Sequence, residues 1–139
     1  MVIMVQREVA HRFVALPGTG DYGVLSIAVQ YYTCPEIIGI APASVFMPSP
    51  KVDSAIVVLN KRDTPPVNVK DSDMFFRVVK AAFGQRRKTL LNALTASKLQ
   101  GKDKKQLEYL LNQCNIDPKI RGEDLTIGQY ASIANALIE

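Results

Sequence analysis

One aromatic side chain lies beside two prolines and a lysine in the segment Phe46-Met47-Pro48-Ser49-Pro50-Lys51, and an apolar run follows at residues 55–59. Each proline fixes φ, removes a backbone donor and biases the preceding residue towards extended conformations. We therefore predict a stiff loop that leads into a strand and holds the Phe46 ring in one place. Such a ring can stack on a base that has been turned out of a nucleic-acid helix. The same pattern also fits a core phenylalanine in a proline-rich turn.

Two groups of cations lie further along the chain. Gln85-Arg86-Arg87-Lys88 is predicted to begin a helix, where successive side chains point about 100° apart. Cations are unfavourable at a helix N-terminus, and an RNA backbone would offset that cost. The alternative is that Arg86 or Arg87 packs against the first half of the chain through a buried ion pair. The second group surrounds a loop, where plain solvation is the alternative; it consists of Lys98, Lys102, Lys104 and Lys105.

The stretch Gly18-Thr19-Gly20-Asp21-Tyr22-Gly23 matches the G-x-G-x-x-G pattern of dinucleotide-binding loops. That motif binds phosphates when it leaves a strand and opens a helix. Here a predicted helix and Pro17 come before it, so we interpret it as a turn between two helices.

Histidine and cysteine are too scarce to form a metal site. Cys34 and Cys114 lie far apart and are expected to be free, buried thiols in a reducing compartment, so a cytoplasmic location is predicted. His11, the single histidine, is interpreted as a helix-surface or interface residue. The apolar start at residues 1–6 is too short to span a membrane.

Apolar spacing divides the chain into an αβ part and a helical part. Residues 2–5 are predicted to form a buried strand, and the order that follows is helix, helix, strand, strand, with the elements at residues 8–16, 22–32, 36–40 and 54–59. Paired prolines mark a linker at residues 63–69. Residues 70–139 then read as helices, with capping boxes predicted at Asp103/Gln106 and Thr126/Gln129 and a short helix at Asp117-Pro118.

Positive charge is confined to the second part. Residues 1–66 carry five basic and five acidic side chains, whereas residues 67–139 carry twelve and eight, so the whole net charge of +4 lies there. Such a bias is compatible with a polyanionic partner and is also common in soluble domains.

Four stretches together resemble the KsgA-type dimethyladenosine transferases. They are residues 46–54 (F-x-P-x-P-K-V-D-S), residues 83–90 (F-G-Q-R-R-K-T-L), residues 22–26 with Gln30, and residues 116–123 with Gln129-Tyr130. The resemblance implies an α+β/α fold, in which residues 1–62 are the C-terminal strands and helices of a Rossmann-like methyltransferase sheet. Residues 70–139 would be a small all-helical, RNA-binding domain.

Enzymes of this family use S-adenosylmethionine to form N6,N6-dimethyladenosine in 16S rRNA during small-subunit assembly. The resemblance therefore implies that the immature small ribosomal subunit is the partner and that Phe46 stacks on the target adenine. Arg121 and Glu123 are expected to form an intramolecular ion pair. The residues expected to contact RNA are Lys51, Arg86, Arg87, Lys88, Lys104 and Lys105.

The family's cofactor motifs, a glycine-rich loop after a strand and an Asn-Leu-Pro-Tyr-like stretch, have no match here. We therefore interpret the chain as the C-terminal half of such an enzyme, with no cofactor-binding residue and no activity of its own. Its sheet edges would then favour self-association. Two alternatives stay open: a non-catalytic RNA-binding or ribosome-assembly module, and a large-subunit rRNA resistance methylase, in which Asn often replaces Asp53.

Overall fold

The computed structural model describes residues 1–48, 50–85 and 87–138. Three strands and six α-helices follow one another in these residues: β1 (Val2–Gln6), α1 (Arg7–Phe13), α2 (Val24–Tyr32), β2 (Thr33–Ala41), β3 (Ser54–Lys61), α3 (Ser72–Phe83), α4 (Leu90–Ser97), α5 (Lys104–Gln113) and α6 (Ile127–Leu137). The predicted order of strand, helix, helix, strand and strand is confirmed for the first part of the chain.

Backbone proximity groups the described residues into two compact units. The first contains residues 1–16 and 21–66, and the second contains residues 17–20 together with residues 67 onward. The short segment 17–20 joins the second unit because the Gly18 N–H donates a hydrogen bond to the Glu123 carbonyl at 2.8 Å. Gly18 adopts φ +86°, a conformation that glycine reaches without a side-chain clash.

The first unit contains a three-stranded antiparallel sheet with β3 in the middle, in the order β1-β3-β2. Val2 pairs with Val58 and Gln6 with Ser54 on one side, and a bulge between Ile37 and Gly39 interrupts the pairing on the other. Because β1 and β2 both run antiparallel to β3, they point in the same direction. Two strands that share a direction need a crossover between them, and α1 and α2 form it.

One face of this sheet packs against the helices. Ala55 and Val57 of β3 are fully buried against Ala10 and Phe13 of α1, and partly buried apolar side chains surround them. The opposite face is open, since Met4 is 55% exposed. The prediction that β1 is a buried strand was therefore wrong, because β1 alternates between covered and exposed side chains.

The second unit is helical, and its core forms where α3 packs on α4 and α6 while α5 packs on the same two helices. Each helix begins at a side-chain cap. Asp71 accepts from two N–H groups at the start of α3, and Thr89 caps α4. The predicted capping boxes at Asp103/Gln106 and Thr126/Gln129 are both confirmed. The fully buried core side chains include Phe75, Leu90, Leu94, Leu107, Leu111, Leu125, Tyr130 and Ile133.

The short helix predicted at Asp117-Pro118 does not form. The Asp117 carboxylate accepts from the Lys119 N–H at 2.9 Å, and its carbonyl accepts from the Ile120 N–H at 3.0 Å, which closes a turn. A 3-10 turn at Gly122–Asp124 follows.

None of the helices formed by the described residues is long and apolar enough to cross a membrane.

Candidate nucleic-acid interface

Phe46 lies between a 3-10 turn and strand β3. The turn spans Ala43–Val45, and the Phe46 N–H donates to the Ala43 carbonyl at 3.3 Å. Phe46 has extended backbone and is half-buried, whereas its neighbours Val45 and Met47 are 65% and 99% exposed. Phe46 is thus more covered than its two neighbours in the loop.

Asp53 anchors this loop by three contacts. Its Oδ1 accepts from the Ala43 N–H at 2.9 Å, and its Oδ2 lies 3.7 Å from the guanidinium of Arg7. Its carbonyl also accepts from the Arg7 N–H at 2.9 Å. Asp53, the residue directly before β3, therefore fixes both the turn that precedes Phe46 and the first residue of α1. Sequence reasoning did not assign this role, although Asp53 lies within the motif.

Lys51 lines an open cleft of about 420 Å³ beside Asp53, and the remaining lining residues are Arg7, Glu8, His11, Asp21 and Val52. Arg7 donates from Nε to the His11 Nε2 at 3.4 Å. His11 is exposed on α1, as expected for a helix-surface residue. Three carboxylates offset the cations, so this cleft has no excess of positive charge. Lys51 is exposed within it and remains a predicted RNA contact.

Two other motif residues in the first unit have structural roles. The Gln30 amide donates to the Phe13 and Ala15 carbonyls at 2.9 and 2.8 Å, which ties α2 to the end of α1. Ser26 is fully buried, and its hydroxyl accepts from the Gly23 N–H and donates to the Asp21 carbonyl, both at 3.2 Å. These contacts give Gln30 and Ser26 structural roles within the first unit.

The described cations of the first group, Arg87 and Lys88, lie in the turn that joins α3 to α4. Arg87 and Lys88 are exposed and precede the N-cap Thr89, and the Lys88 N–H donates to the Gln85 carbonyl at 3.0 Å. The prediction that these cations begin a helix was therefore wrong, because the helix starts at Leu90. Arg86, the third predicted contact, lies outside the described residues.

The N-terminus of α4 is satisfied by protein carbonyls. The Leu90 and Leu91 N–H groups donate to the Ile120 and Pro118 carbonyls at 2.6 and 3.2 Å. The Thr89 hydroxyl accepts from the Asn92 N–H at 3.3 Å. These donors are used within the protein, so any phosphate near this turn would be held by the exposed cations.

Lys104 and Lys105 follow each other at the start of α5 and line different clefts. Lys104 lies in a polar cleft of about 600 Å³ with Thr89, Glu108 and Lys119. Lys105 lies in an apolar groove of about 480 Å³ with Tyr109. The two side chains diverge because successive helical residues point about 100° apart. Lys104 therefore shares a cleft with Thr89, the residue directly after Lys88. Lys105 lines a different groove.

The prediction of an ion pair between Arg121 and Glu123 was wrong. Within the described residues, ion pairs join Arg7 to Asp53 and Arg12 to Glu8. The segment is held instead at Gly122, whose carbonyl accepts from the buried Tyr130 hydroxyl at 2.6 Å. A Cβ at Gly122 would stand 2.9 Å from that hydroxyl. The sequence signal for this contact was the spacing of eight residues between Gly122 and Tyr130 in the last motif.

The two cysteine thiols are less buried than predicted. Both cysteines are free, but Cys34 is exposed and Cys114 is half-buried, so the prediction of buried thiols was wrong.

Tyr22 is 1% exposed, and desolvation by that burial raises its pKa to about 12. No group of three or more His, Cys, Asp or Glu side chains suited to a metal ion occurs in the part of the chain that the structure describes.

Comparison with known proteins gives a consistent result. The family model for ribosomal RNA adenine dimethylase matches residues 1–139. The chain is 55% identical over 139 residues to "Ribosomal RNA small subunit methyltransferase A" of Geobacillus thermodenitrificans, covering 99% of this chain and 47% of the relative. It is 56% identical over 138 residues to the protein of the same name from Geobacillus kaustophilus, with the same coverage. The chain thus spans about half the length of these curated relatives.

Two solved structures share the fold. A dimethyladenosine transferase from Plasmodium falciparum matches 95% of this chain and 54% of that protein, with a TM-score of 0.77 and 24% identity. The 23S rRNA methyltransferase ErmE matches 99% of this chain and 54% of that protein, with a TM-score of 0.61 and 22% identity. The fold of this chain is therefore similar to the corresponding part of known methyltransferases.

Proposed function

Because the chain belongs to the ribosomal RNA adenine dimethylase family, we propose that it is the RNA-binding and base-positioning part of an S-adenosylmethionine-dependent adenine N6,N6-dimethyltransferase of 16S rRNA. The immature small ribosomal subunit is its partner in this proposal. The observation that carries the proposal is that the family match covers the whole chain, including the loop that Asp53 anchors around Phe46.

The topology of the first unit supports its assignment to a Rossmann-like methyltransferase sheet. Strands β1 and β2 share a direction and are joined through α1 and α2, as in α/β sheets. Strand β3 runs antiparallel to both. The helices of residues 70–139 are the proposed RNA-binding domain, with residues 63–69 as the linker.

Phe46 is the proposed stacking residue for the target adenine. Stacking of a base on an aromatic ring contributes about 1–3 kcal/mol and needs a ring whose face is accessible. Phe46 is half-buried, and its loop is fixed by the hydrogen bond from Ala43 to Asp53. A fixed ring reduces the entropy lost when the base is bound, and it sets the orientation of the exocyclic amine.

The cations supply the proposed contacts to the RNA backbone. Arg87 and Lys88 would bind phosphate from the turn before α4, and Lys104 is in a cleft that also contains Thr89. Arg86 is a further proposed phosphate contact. Lys105 and Lys51 would contact RNA from two further clefts. Phosphate contacts of this kind position a protein on RNA and carry little sequence information.

S-adenosylmethionine is the methyl donor implied by the family, and it would supply the transferred methyl group. The described residues do not fit a site for it. The glycine-rich stretch Gly18–Gly23 follows a helix rather than a strand, and Gly18 is bonded to Glu123. The same observation favours a second candidate function, an RNA-binding module without catalysis.

Sedimentation with ribosomal subunits tests the proposed function. The purified chain should migrate with undermethylated small subunits through a sucrose gradient and not with large subunits at the same salt concentration. Equal association with both subunits, or with neither, would contradict the proposal. Calorimetric titration of S-adenosylmethionine into the folded chain should give no binding heat. Binding of one S-adenosylmethionine per chain would contradict the statement that the described residues do not fit a site for it.

A further inference from the structure

An apolar groove between α5 and α6 carries an exposed aromatic ring with lysines beside it. Tyr109 is 68% exposed and lines the groove of about 480 Å³ together with Leu110 and Ala136. Lys105 and Gln113 stand one helical turn before and after Tyr109, so the three share one stripe of α5. The remaining lining residues are Lys102 and Gln106.

This combination of side chains indicates which chemical class of ligand the groove would bind. Among the described residues, the groove lining contains two lysines, two glutamines and no carboxylate. An apolar protein partner alone would not require the two cations, whereas a nucleotide presents a flat apolar ring, hydrogen-bonding edges and a phosphate together. Glutamine amides can pair with base edges, and the Gln106 carbonyl oxygen is already used in the cap of α5 by the Asp103 N–H at 2.9 Å.

We propose that this groove is a second base-stacking subsite, in which Tyr109 stacks on one unpaired base of the bound RNA while Lys102 and Lys105 neutralise its flanking phosphates. The inference rests on the proposed RNA binding and adds a specific subsite to it. The subsite takes single-stranded RNA, because a paired base keeps its faces inside the helix.

The absence of tryptophan from the chain makes a direct test simple. Tyr109→Trp creates a single indole, and its emission should be quenched when a short single-stranded oligoadenylate binds. Tyr32→Trp is the matched control, since Tyr32 is also an exposed tyrosine (57%) and belongs to the other unit. Its emission should be unchanged by the same RNA.

Binding measured by fluorescence anisotropy completes the test. Tyr109→Ala should weaken binding of the single strand by about tenfold, and Tyr109→Phe should retain it because the ring is kept. Binding of a fully paired duplex should be equal in all three proteins. Circular dichroism checks that the variants are folded.

The outcomes separate the subsite from the proposed function. If the chain binds the oligonucleotide while Tyr109→Ala binds equally well and the indole is not quenched, the subsite is contradicted and RNA binding stands. If neither the single strand nor the duplex binds, both ideas are contradicted. Equal losses for single strand and duplex would also contradict stacking, because stacking requires an unpaired base.

Discussion

The carboxylate of Asp53 accepts a hydrogen bond from the Ala43 N–H at 2.9 Å, which joins the first residue of the turn before Phe46 to the last residue before β3. These residues are ten positions apart, and the proline-containing loop lies between them. The loop is therefore closed at its base by a side chain. The proposed stacking ring depends on this closure for its position.

Replacing Asp53 should loosen the loop without unfolding the chain. Asp53→Ala removes the acceptor for the Ala43 N–H, and a hydrogen bond of this kind stabilises by about 1 kcal/mol, equivalent to about fivefold faster exchange of that amide. The exposed contact with Arg7 adds little. Hydrogen exchange followed by NMR measures the change.

Asp53→Asn is the matched control, because its amide oxygen can still accept from Ala43. It should preserve most of the protection of the Ala43 amide. Equal protection in the wild-type protein and in Asp53→Ala would show that the loop is closed by other contacts.

The contact between Gly122 and Tyr130 should be sensitive to one added methyl group. Gly122→Ala places a Cβ 2.9 Å from the Tyr130 hydroxyl and 3.0 Å from the Ala82 Cβ. Overpacking of this kind costs about 1–3 kcal/mol of unfolding free energy. Urea unfolding followed by circular dichroism measures it.

Gly128→Ala provides the control for that substitution. A Cβ at Gly128 meets ordinary contacts at 3.7 and 4.0 Å, so alanine within α6 should stabilise the protein by about 0.5–1 kcal/mol. Equal effects of the two glycine substitutions would contradict the close contact. Tyr130→Phe should destabilise the chain by about 0.5–1.5 kcal/mol, since it removes the shorter of the two hydrogen bonds that the Gly122 carbonyl accepts and keeps the one from the Leu125 N–H.

Stability should fall in strongly alkaline solution because of Tyr22. Its pKa is raised from 10.0 to about 12 by burial, so between these values the folded chain binds more protons than the unfolded chain. The stabilisation is fully present below pH 10 and is lost as the pH rises through 12, for a total of about 2–3 kcal/mol.

Unfolding free energies of the wild-type protein and Tyr22→Phe, measured near neutral pH and in this alkaline range, isolate that contribution. The difference between the two proteins should change with pH, with the phenylalanine variant losing less stability. Burial also raises the pKa of Tyr31, so some alkaline sensitivity should persist in the variant. Parallel pH profiles would contradict the assignment to Tyr22.

The chain should self-associate through its sheet. Strands β1 and β2 are the edges of the sheet that the described residues form, and Met4 and Ile38 are each 55% exposed on these strands. Open edges and exposed apolar side chains favour pairing with another chain. Sedimentation velocity should therefore show species larger than a monomer. A monodisperse monomer at high protein concentration would contradict this prediction.

The double variant Met4→Lys/Ile38→Lys should shift the chain towards the monomer. Leu16→Lys is the control, since Leu16 is 66% exposed but lies outside the sheet. If all three proteins sediment alike, the contact does not involve the sheet.

RNA binding should depend on salt through the turn before α4. Arg87→Gln/Lys88→Gln removes two exposed cations, and the slope of log affinity against log salt should decrease by about 1.4 for single-stranded RNA. Anisotropy titrations over a range of salt concentrations measure the slope. Lys61→Gln/Lys70→Gln removes the same charge elsewhere and should leave the slope unchanged. Equal changes in both double variants would indicate a diffuse charge effect without a defined contact.

Local sequence determined the elements of this protein and their order. The period of the apolar residues and the caps at Asp103 and Thr126 located the strands and the α-helices, because a helix or strand and its first turn are set by residues a few positions apart. The same local signals wrongly predicted a short helix at Asp117-Pro118. The motifs likewise indicated the family, because they preserve residue types at fixed spacing. Neither kind of pattern specified what each motif residue contacts.

Tertiary structure decided the roles of those residues, because their contacts join positions that are distant in the chain. Gln30 bonds to the end of α1, Gly18 bonds to Glu123, and Asp53 closes the loop before Phe46. The separation of Lys104 and Lys105 into two clefts likewise depends on which helices pack around α5. Periodicity predicts which face of a helix is buried, but the packing partner is fixed only when the chain has folded.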